Sequence, residues 1–241
     1  MSIKAALTVA GVPASIASRE APLAESAMLE FSITSQARAK MFLAQVLHES
    51  AGLKFFEEIA SGAAYEGRCR QLGNCQPGDG PRFKGRGPIQ LTGRANYRWA
   101  AKRLGLALEQ HPELAAQHVT GWRIAGLYWK ARGLNELADR GDFLAITKTI
   151  NGGIRGLASR RLYLRRLHGN DCRPHDRWAH YTPAERRWIA EYDHTHSKER
   201  RRVLRRVMTT QRKRIWNEAQ HSGWNDANRR ARWRSLQART S

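Results

Sequence analysis

The sequence predicts a mainly α-helical protein made of two modules, and three observations support that prediction. The chain has 241 residues, which suits one medium domain with an appendage because domains usually span about 100–200 residues. Apolar residues recur at helical spacing, and capping residues precede several of these stretches. Basic residues and tryptophans are concentrated towards the carboxyl end, so the composition of that region differs from the rest.

Charge is the most unusual property of the chain. Lys and Arg number 42 against 21 Asp and Glu, a formal net charge of +21. Residues 1–171 carry 24 basic and 14 acidic side chains, whereas residues 172–241 carry 18 and 7. Because His168–Asp176 is rich in turn formers, we place a boundary there and expect one module over 1–171 and another over 172–241. The excess of positive charge indicates a polyanionic partner such as nucleic acid, an anionic lipid or an anionic cell wall.

The clearest helix of the first module follows Ser35, which can act as its amino-terminal cap. The run Met41–Leu47 is apolar except for Gln45, so this helix is expected to be buried on nearly all sides. Gly52 then supplies a stop signal.

The stretch Cys69–Gly93 is dense in Gly and Pro and has no sustained period, which predicts a long ordered loop. A loop of that length inside a compact domain is usually functional. Three further helices are predicted beyond it, over Ala95–Leu104, Gly121–Ala131 and Gly141–Ile150. The last of them ends at an Asn-Gly-Gly sequence.

The second module carries stronger local helix signals. Thr182–Glu185 (TPAE) combines a capping box with a proline at the first helical position. A second helix is predicted from Ser197, with apolar residues on one face and arginines crowding the remainder. Ser222 and Gly223 break it, and a short helix from Asp226 completes a predicted small, basic, Trp-rich helical bundle.

Nothing in the sequence predicts a membrane-spanning helix, which needs roughly 18 consecutive apolar residues. Lys4 followed by Ala5–Val12 mimics a secretory signal only faintly, because Gly11 and Pro13 interrupt it. We therefore expect no cleaved signal peptide. Three cysteines are too few for a disulfide scaffold, which fits synthesis in the cytoplasm.

Two glutamates form a candidate acid/base pair. Glu49 ends the buried helix, where the carbonyl end of the helix dipole and apolar surroundings both penalise a charged carboxylate. That environment favours the protonated form that a general acid needs. Glu58 follows nine residues later, beyond Gly52, so the two side chains could face each other across a cleft. On spacing alone, two unrelated surface carboxylates are the commoner outcome.

A far more specific pattern is the stretch Phe83–Tyr97 (FKGRGPIQLTGRANY). It resembles the signature of the family 19 glycoside hydrolases, a chitinase-like family that phages also use as endolysins. Three other segments match motifs of that family in its order, namely His48–Ser50, Ile150–Gly153 and Gly156–Arg160. The resemblance covers nearly all of residues 1–171 and implies a lysozyme-like α+β catalytic domain.

The resemblance also implies roles for individual residues. Glu49 matches the general acid that protonates the glycosidic oxygen, and Glu58 matches the general base of short bacterial and phage members. Glu57 and Glu66 are the competing candidates for the base. Thr92 matches a hydroxyl that helps the base to hold the attacking water. The remaining matches are expected to contact sugar or to support the acidic residues: Gln90, Asn96, Asn151, Tyr97 and Arg160.

Aromatic residues and cysteines leave alternatives open. Tyr65, Tyr97 and Trp129 could stack on sugar faces, although core packing is the commoner fate of each. Cys69 and Cys75 lie where related chitinases often have a disulfide, and free thiols in the cell, bridged outside it, are the interpretation that we favour. Since no His or Cys partners stand at zinc-like spacing, no metal or cofactor is expected.

Together with the charge, the resemblance implies an endolysin that hydrolyses the β-1,4 glycosidic bonds of bacterial peptidoglycan by an inverting acid/base mechanism, for host-cell lysis. Its second module would bind anionic cell-wall polymers. We expect a monomer that stays in the host cytoplasm before lysis, is then released to the cell wall, and acts as an antimicrobial. The alternatives are a chitinase acting on N-acetylglucosamine polymers and, in a different class, a nucleic-acid- or membrane-binding basic protein.

Overall fold

The computed structural model describes residues 2–168. This part of the chain is helical, and its α-helices are α1 (Ile3–Val9), α2 (Ala14–Glu30), α3 (Gln36–Glu49), α4 (Cys69–Leu72), α5 (Asp79–Arg82), α6 (Arg94–Leu104), α7 (His118–Ala131), α8 (Leu134–Asp139), α9 (Phe143–Asn151) and α10 (Leu157–Leu167). Two short 3-10 helices, Ala63–Tyr65 and Pro112–Ala116, lie in the connections. Of the helices in this part of the chain, none has the length and hydrophobicity to cross a membrane.

Local signals place the ends of α3 where the sequence predicts them. The hydroxyl of Ser35 accepts the backbone N–H of Arg38 at 3.2 Å, so the predicted amino-terminal cap is confirmed. The helix ends at Glu49. Gly52 follows with a left-handed φ of 76°, a conformation that glycine adopts at little cost.

The centre of the core is α3, which packs against α10 and α8. Every side chain from Phe42 to Leu47 is buried, as the apolar run predicts. The ring of Phe42 lies 5.4 Å from that of Trp129 and 6.2 Å from that of Trp122, measured between centroids. Because each fully buried large apolar side chain contributes about 1.5–3 kcal/mol, this packing holds the carboxyl end of α3 in a fixed place.

A buried polar contact joins α2 to α7. Glu20 is fully buried and accepts hydrogen bonds from Nε1 of Trp122 at 2.9 Å and from Nε of Arg19 at 2.6 Å. Nδ1 of His118 lies 2.8 Å from the same carboxylate. Burial alone would raise the pKa of Glu20, but these partners outweigh burial and lower it. The carboxylate is therefore charged and paired inside the core.

The prediction of a mainly helical domain is confirmed, and α6, α7 and α9 begin and end within three residues of their predicted bounds. The sequence patterns predict no helix before Ser35, yet α1 and α2 lie there. Pro22 inside α2 hides the helical signal because proline normally breaks helices. The stretch that mimics a signal peptide forms α1 and buries Ile3 and Leu7. Helices α8 and α10 were likewise not predicted.

The β part of the expected α+β domain is small. Within residues 2–168 it consists of two isolated antiparallel bridges, Glu57 with Arg86 and Arg86 with Leu91. The predicted loop Cys69–Gly93 contains the one-turn helices α4 and α5. The predicted module 172–241 and its helices lie outside the described residues.

Candidate active site

A strained turn follows Glu49 at the end of α3. The buried hydroxyl of Ser50 donates to the carbonyl of Val46 at 2.7 Å and accepts the N–H of Leu53 at 3.0 Å. Ala51 and Leu53 have φ values of 49° and 63°, left-handed conformations that are costly for residues other than glycine. Such conformations persist where the surroundings enforce them, and they are frequent at functional sites.

Arg160 ties the Glu49 carboxylate to the helical core. Its side chain is 1% exposed, and its Nη2 donates to Oε1 of Glu49 at 2.5 Å. Nη1 of the same guanidinium donates to Oε1 of Gln45, one helical turn earlier on α3. Gln45 donates in turn to Oγ1 of Thr147 at 3.0 Å. One buried arginine therefore bridges two residues of α3 and orients the candidate acid.

His48 packs against the turn that precedes α10. Its Nδ1 lies 3.0 Å from the hydroxyl oxygen of Ser159. A Cβ added to Gly156 would lie 2.2 Å from Nε2 of His48, so only glycine leaves room for the ring. Burial lowers the pKa of His48, and the charge of Arg160 lowers it further. A neutral His48 thus fixes the start of the helix that carries Arg160.

Glu58 is held by a different type of contact. The hydroxyl of Tyr65 donates to Oε1 of Glu58 at 3.0 Å, and the backbone N–H of Gly85 donates to Oε2 at 3.0 Å. The N–H of Glu58 donates back to the carbonyl of Gly85 at 2.9 Å. Each carboxylate oxygen therefore accepts one hydrogen bond from a neutral donor. The half-buried side chain of Glu58 lies against Gly85 in the signature stretch Phe83–Tyr97.

Gly85 is the point on which three of the predicted site residues converge. A Cβ added there would lie 2.6 Å from Oε1 of Gln90, 3.1 Å from Oε2 of Glu58 and 3.4 Å from Oγ1 of Thr92. The Thr92 hydroxyl donates to the carbonyl of Gln90 at 2.9 Å. The structure thus brings Glu58, Thr92 and Gln90 together around one glycine, where no side chain separates them.

The two competitors for the base have other partners. Oε1 of Glu57 lies 3.2 Å from Nζ of Lys84 and 3.2 Å from Nη2 of Arg86. Glu66 accepts the backbone N–H groups of Gly78 and Gly80 at 2.6 and 2.7 Å. Both carboxylates therefore stabilise the segment between Gly78 and Arg86. This favours Glu58 as the base.

The three predicted sugar-contacting amides are half-buried. Each donates to a backbone carbonyl: Gln90 to Gly87 at 3.0 Å, Asn96 to Thr92 at 2.7 Å, and Asn151 to Arg155 at 3.3 Å. Their amide groups are therefore oriented by their own loops. Gln90 lies next to Glu58, and contact of these amides with a sugar stays a prediction.

Two aromatic candidates are placed in the core, which corrects the expectation that Tyr97 contacts sugar and agrees with core packing as the commoner fate of Trp129. Tyr97 is fully buried and Trp129 is 1% exposed, so neither ring offers a face to a ligand. The Tyr97 hydroxyl donates to the carbonyl of Lys84 at 2.7 Å and accepts from Nη1 of Arg86 at 3.2 Å. Burial raises the pKa of Tyr97 to about 12. The buried Tyr97 side chain therefore holds the backbone of Lys84 and the side chain of Arg86 in place.

Cys69 and Cys75 form a disulfide, which is the pairing that related chitinases often have here and the bridged state of the interpretation given above. Their Cα atoms are 4.5 Å apart and the bridge closes a short ring, compatible with ordinary disulfide geometry. Within residues 2–168, no group of three His, Cys, Asp or Glu side chains is placed to hold a metal ion.

Comparison with known proteins identifies the chain. No protein-family model matches it. A glycosyl hydrolase family 19 domain-containing protein of Haemophilus influenzae is 32% identical over 154 residues, an alignment that covers 51% of this chain and 75% of that protein. The chain belongs to glycosyl hydrolase family 19. The resemblance found in the motifs is thereby confirmed, and the family assigns the chain to the glycoside hydrolases.

Two chitinases are similar over a smaller share of their length. An Arabidopsis thaliana endochitinase is 38% identical over 112 residues, which cover 46% of this chain and 38% of the endochitinase. The crystal structure of chitinase C from Streptomyces griseus superposes with a TM-score of 0.52 at 26% identity, over 64% of this chain and 70% of that one. The helical body described above is therefore a family 19 fold.

Sequence reasoning missed three contacts of this family 19 site. Gln45 interrupts the apolar run of α3, and a lone polar residue in a buried helix needs a partner, which is the signal that points to Arg160. The sequence suggests stacking on sugar for Tyr65, whereas its hydroxyl donates to Glu58. Asn74, which binds the backbone of Tyr65, had no sequence signal.

Proposed function

We propose that the protein hydrolyses a β-1,4 glycosidic bond with inversion, using Glu49 as general acid and Glu58 as general base. The observation that carries the proposal is the convergence of Glu58, Thr92 and Gln90 on Gly85 in a chain of this family. An inverting glycosidase needs a water on the far face of the sugar, and its two carboxyl groups stand about 6.5–9.5 Å apart to accommodate it. Glu58 and Thr92, which meet at Gly85, would hold that water.

The acid half of the proposal assigns the proton to one oxygen of Glu49. Arg160 donates to Oε1, so a proton on Glu49 belongs on Oε2, which can then deliver it to the leaving oxygen. The same contact with Arg160 keeps the Glu49 carboxylate hydrogen-bonded after the proton has left.

The base must hold a water next to its carboxylate. The hydrogen bonds from Tyr65 and Gly85 fix the orientation of the Glu58 carboxylate. The Thr92 hydroxyl, whose hydrogen is given to Gln90, has free acceptor capacity to receive a hydrogen bond from the water. Glu58 would then take the second proton as the oxygen attacks the anomeric carbon.

For the substrate we propose bacterial peptidoglycan, with the protein acting as a phage endolysin. A net charge of +21 attracts polyanions, and peptidoglycan with its associated polymers is anionic whereas chitin is neutral. Residues 172–241 would supply affinity for anionic wall polymers. In this proposal the protein accumulates in the host cytoplasm and reaches the wall at lysis.

Chitin is the second candidate substrate. The similar proteins from Arabidopsis and Streptomyces are an endochitinase and a chitinase, and the N-acetylglucosamine unit is common to both polymers. This candidate requires the same acid/base pair and differs only in the groups next to the cleaved bond.

One digestion experiment separates these candidates. Purified peptidoglycan and chitin oligomers are incubated with the protein, and the new reducing-end sugars are identified by mass spectrometry, with Glu49→Gln as the inactive control. We expect reducing ends from peptidoglycan and inverted anomers in early-turnover NMR. Cleavage of chitin alone would favour the chitinase alternative, and retention of configuration would contradict the mechanism.

The role of residues 172–241 needs its own measurement. Sedimentation with cell walls is compared for the full chain and for a chain ending at Asn170, at low and high ionic strength. The full chain should bind more tightly, and salt should weaken its binding because charges are screened beyond about 8 Å at physiological ionic strength. Tight binding to duplex DNA or to anionic vesicles, without binding to walls, would instead support the nucleic-acid or membrane alternative.

A further inference from the structure

The Cys69–Cys75 disulfide closes a short ring that contacts the backbone of Tyr65, the residue whose hydroxyl donates to Glu58. Asn74 lies inside this ring and is fully buried. Its Nδ2 donates to the backbone carbonyl of Tyr65 at 2.9 Å, and its Oδ1 accepts the backbone N–H of Arg94 at 2.8 Å. Asn74 thus joins the segment that carries Tyr65 to the first residue of α6.

The ring is pressed against the start of α6. A Cβ added to Gly73, whose φ is +70°, would lie 2.7 Å from Cβ of Ala95. A Cβ added to Gly93 would lie 2.7 Å from Cβ of Leu72. The two glycines allow the backbones to approach this closely, so the ring cannot shift without moving α6.

A salt bridge between Arg94 and Asp79 also fixes the start of α6. The guanidinium of Arg94 donates to both oxygens of Asp79, at 2.5 and 2.9 Å, and Asp79 is 1% exposed. Nη1 of Arg94 also donates to Glu109 at 3.1 Å. The residue that receives the Asn74 bond is therefore fixed by charged contacts of its own.

We propose that the Cys69–Cys75 ring positions Glu58, with Asn74 holding the backbone of Tyr65 and the hydroxyl of Tyr65 holding the carboxylate. Asn74 touches neither Glu58 nor the proposed substrate path, so it is a positioning residue. The catalytic consequence rests on the proposed role of Glu58 as the base. The chain of contacts from the ring through Asn74 and Tyr65 to the Glu58 carboxylate does not depend on that role.

The test compares Asn74→Ala with Asn135→Ala in the full chain. Asn135 is a matched control because it is also buried, donates to a backbone carbonyl, that of Phe31, at 3.2 Å, and accepts an N–H, that of Trp129, at 2.9 Å. Both variants lose similar hydrogen bonds and should lose similar stability. Only Asn74→Ala should lower kcat, by roughly 10- to 100-fold, because misplacement of a catalytic group by about 1 Å can cost that much. KM should change less than about twofold.

A second readout is independent of activity. Burial and the hydrogen bond to Glu58 raise the pKa of Tyr65. In Asn74→Ala the phenol should move away from the carboxylate, so its pKa, followed by NMR of labelled tyrosine, should fall towards the ordinary tyrosine value. Glu58→Gln calibrates the shift because it removes the charge itself, and the pKa should stay raised in Asn135→Ala.

The outcomes separate the two proposals. Full activity in Glu58→Gln would overturn the base assignment while the Tyr65 titration still tests the ring. An unchanged Tyr65 titration and equal kcat in the Asn74 and Asn135 variants would overturn the ring proposal. Should Asn74→Ala fail to fold, the double variant Cys69→Ser with Cys75→Ser opens the ring with Asn74 intact, and it should shift kcat and the Tyr65 titration in the same direction. No shift in that variant would also overturn the proposal.

Discussion

The surroundings of the two candidate catalytic glutamates differ in kind. Glu49 ends a buried helix and is bound by a charged group, the Arg160 guanidinium, which is itself buried and shared with Gln45. Glu58 lies in an irregular segment and is bound by two neutral donors, a phenol and a backbone N–H. The first carboxylate depends on the helical core, and the second depends on a loop closed by a disulfide.

This difference matches the chemistry that the proposal asks of each residue. A general acid ends its step as a carboxylate, which a fixed positive charge stabilises. A base must accept a proton from water, and neutral donors orient a carboxylate without the strong bias of a full charge. Substitutions on the core side, around Glu49, and on the loop side, around Glu58, are therefore expected to have different consequences.

The largest expected effect is that of Glu49→Gln. The amide cannot deliver a proton, so kcat should fall by about 10²–10⁴-fold. Its oxygen can still accept a hydrogen bond from Arg160, so circular dichroism should show a folded protein with a lower melting temperature. Glu30→Gln is the matched control, because Glu30 forms a comparable ion pair, 2.8 Å from Arg123, away from the candidate site. Activity above about a tenth of the unmodified protein's would contradict the acid role.

On the loop side, Glu58→Gln should also lower kcat strongly, by about 10²-fold or more, with little change in KM. Stability should change less than in Glu49→Gln, because no buried cation loses its partner. Glu57→Gln is the neighbouring control and should keep kcat within a few-fold. Equal losses in the Glu57 and Glu58 variants would show that the loop as a whole, and not one carboxylate, is needed.

Thr92→Ala should be milder than Glu58→Gln. It removes one hydrogen-bond acceptor for the proposed water while the base remains, so we expect a fall in kcat of roughly tenfold, the value of one hydrogen bond of about 1.4 kcal/mol. Steady-state kinetics on a soluble oligosaccharide measures it. A rise in KM at unchanged kcat would place the hydroxyl in substrate binding instead.

Arg160→Lys tests the shared guanidinium on the core side. Lysine keeps the charge but lacks the planar fork, so the buried oxygen of Gln45 or the carboxylate of Glu49 loses its donor. Urea denaturation should show a loss of about 1–3 kcal/mol. Adding Gln45→Met removes the amide that has lost its donor. The double variant should therefore lose less unfolding free energy than the sum of the two single variants. Strict additivity would mean that Gln45 and Arg160 are not coupled.

The smallest expected effect concerns Glu109, which forms ion pairs with Arg94 and Arg98 of α6. Hydrogen bonds from Arg98 and Arg94 lower the pKa of Glu109 from 4.5 to about 2. A lowered pKa means that this stabilisation is fully present above pH 4.5 and is lost as the pH falls towards 2. Glu109→Gln should therefore show a shallower loss of unfolding free energy over that range. A slope identical to that of the unmodified protein would contradict the contribution of this carboxylate.

Local sequence patterns were enough to predict one part of this molecule. The cap at Ser35, the burial of Phe42–Leu47 and the helices α6, α7 and α9 follow from the order of apolar and capping residues. The motifs around Glu49 and Phe83–Tyr97 led to the family. These features are set by neighbours in the chain, so the sequence displays them directly.

What the sequence did not display depends on residues far apart in the chain. The resemblance implied that Arg160 supports the acidic residues, but the structure alone shows that it reaches Glu49 across 111 positions and shares its guanidinium with Gln45. Tyr97 is buried although its motif predicted sugar contact. Burial and hydrogen-bond partners are set by how distant segments pack, and the sequence contains no local pattern for that packing. The sequence by itself therefore determined helices α3, α6, α7 and α9 and the candidate carboxylates, and only the tertiary structure decided what holds each carboxylate in place.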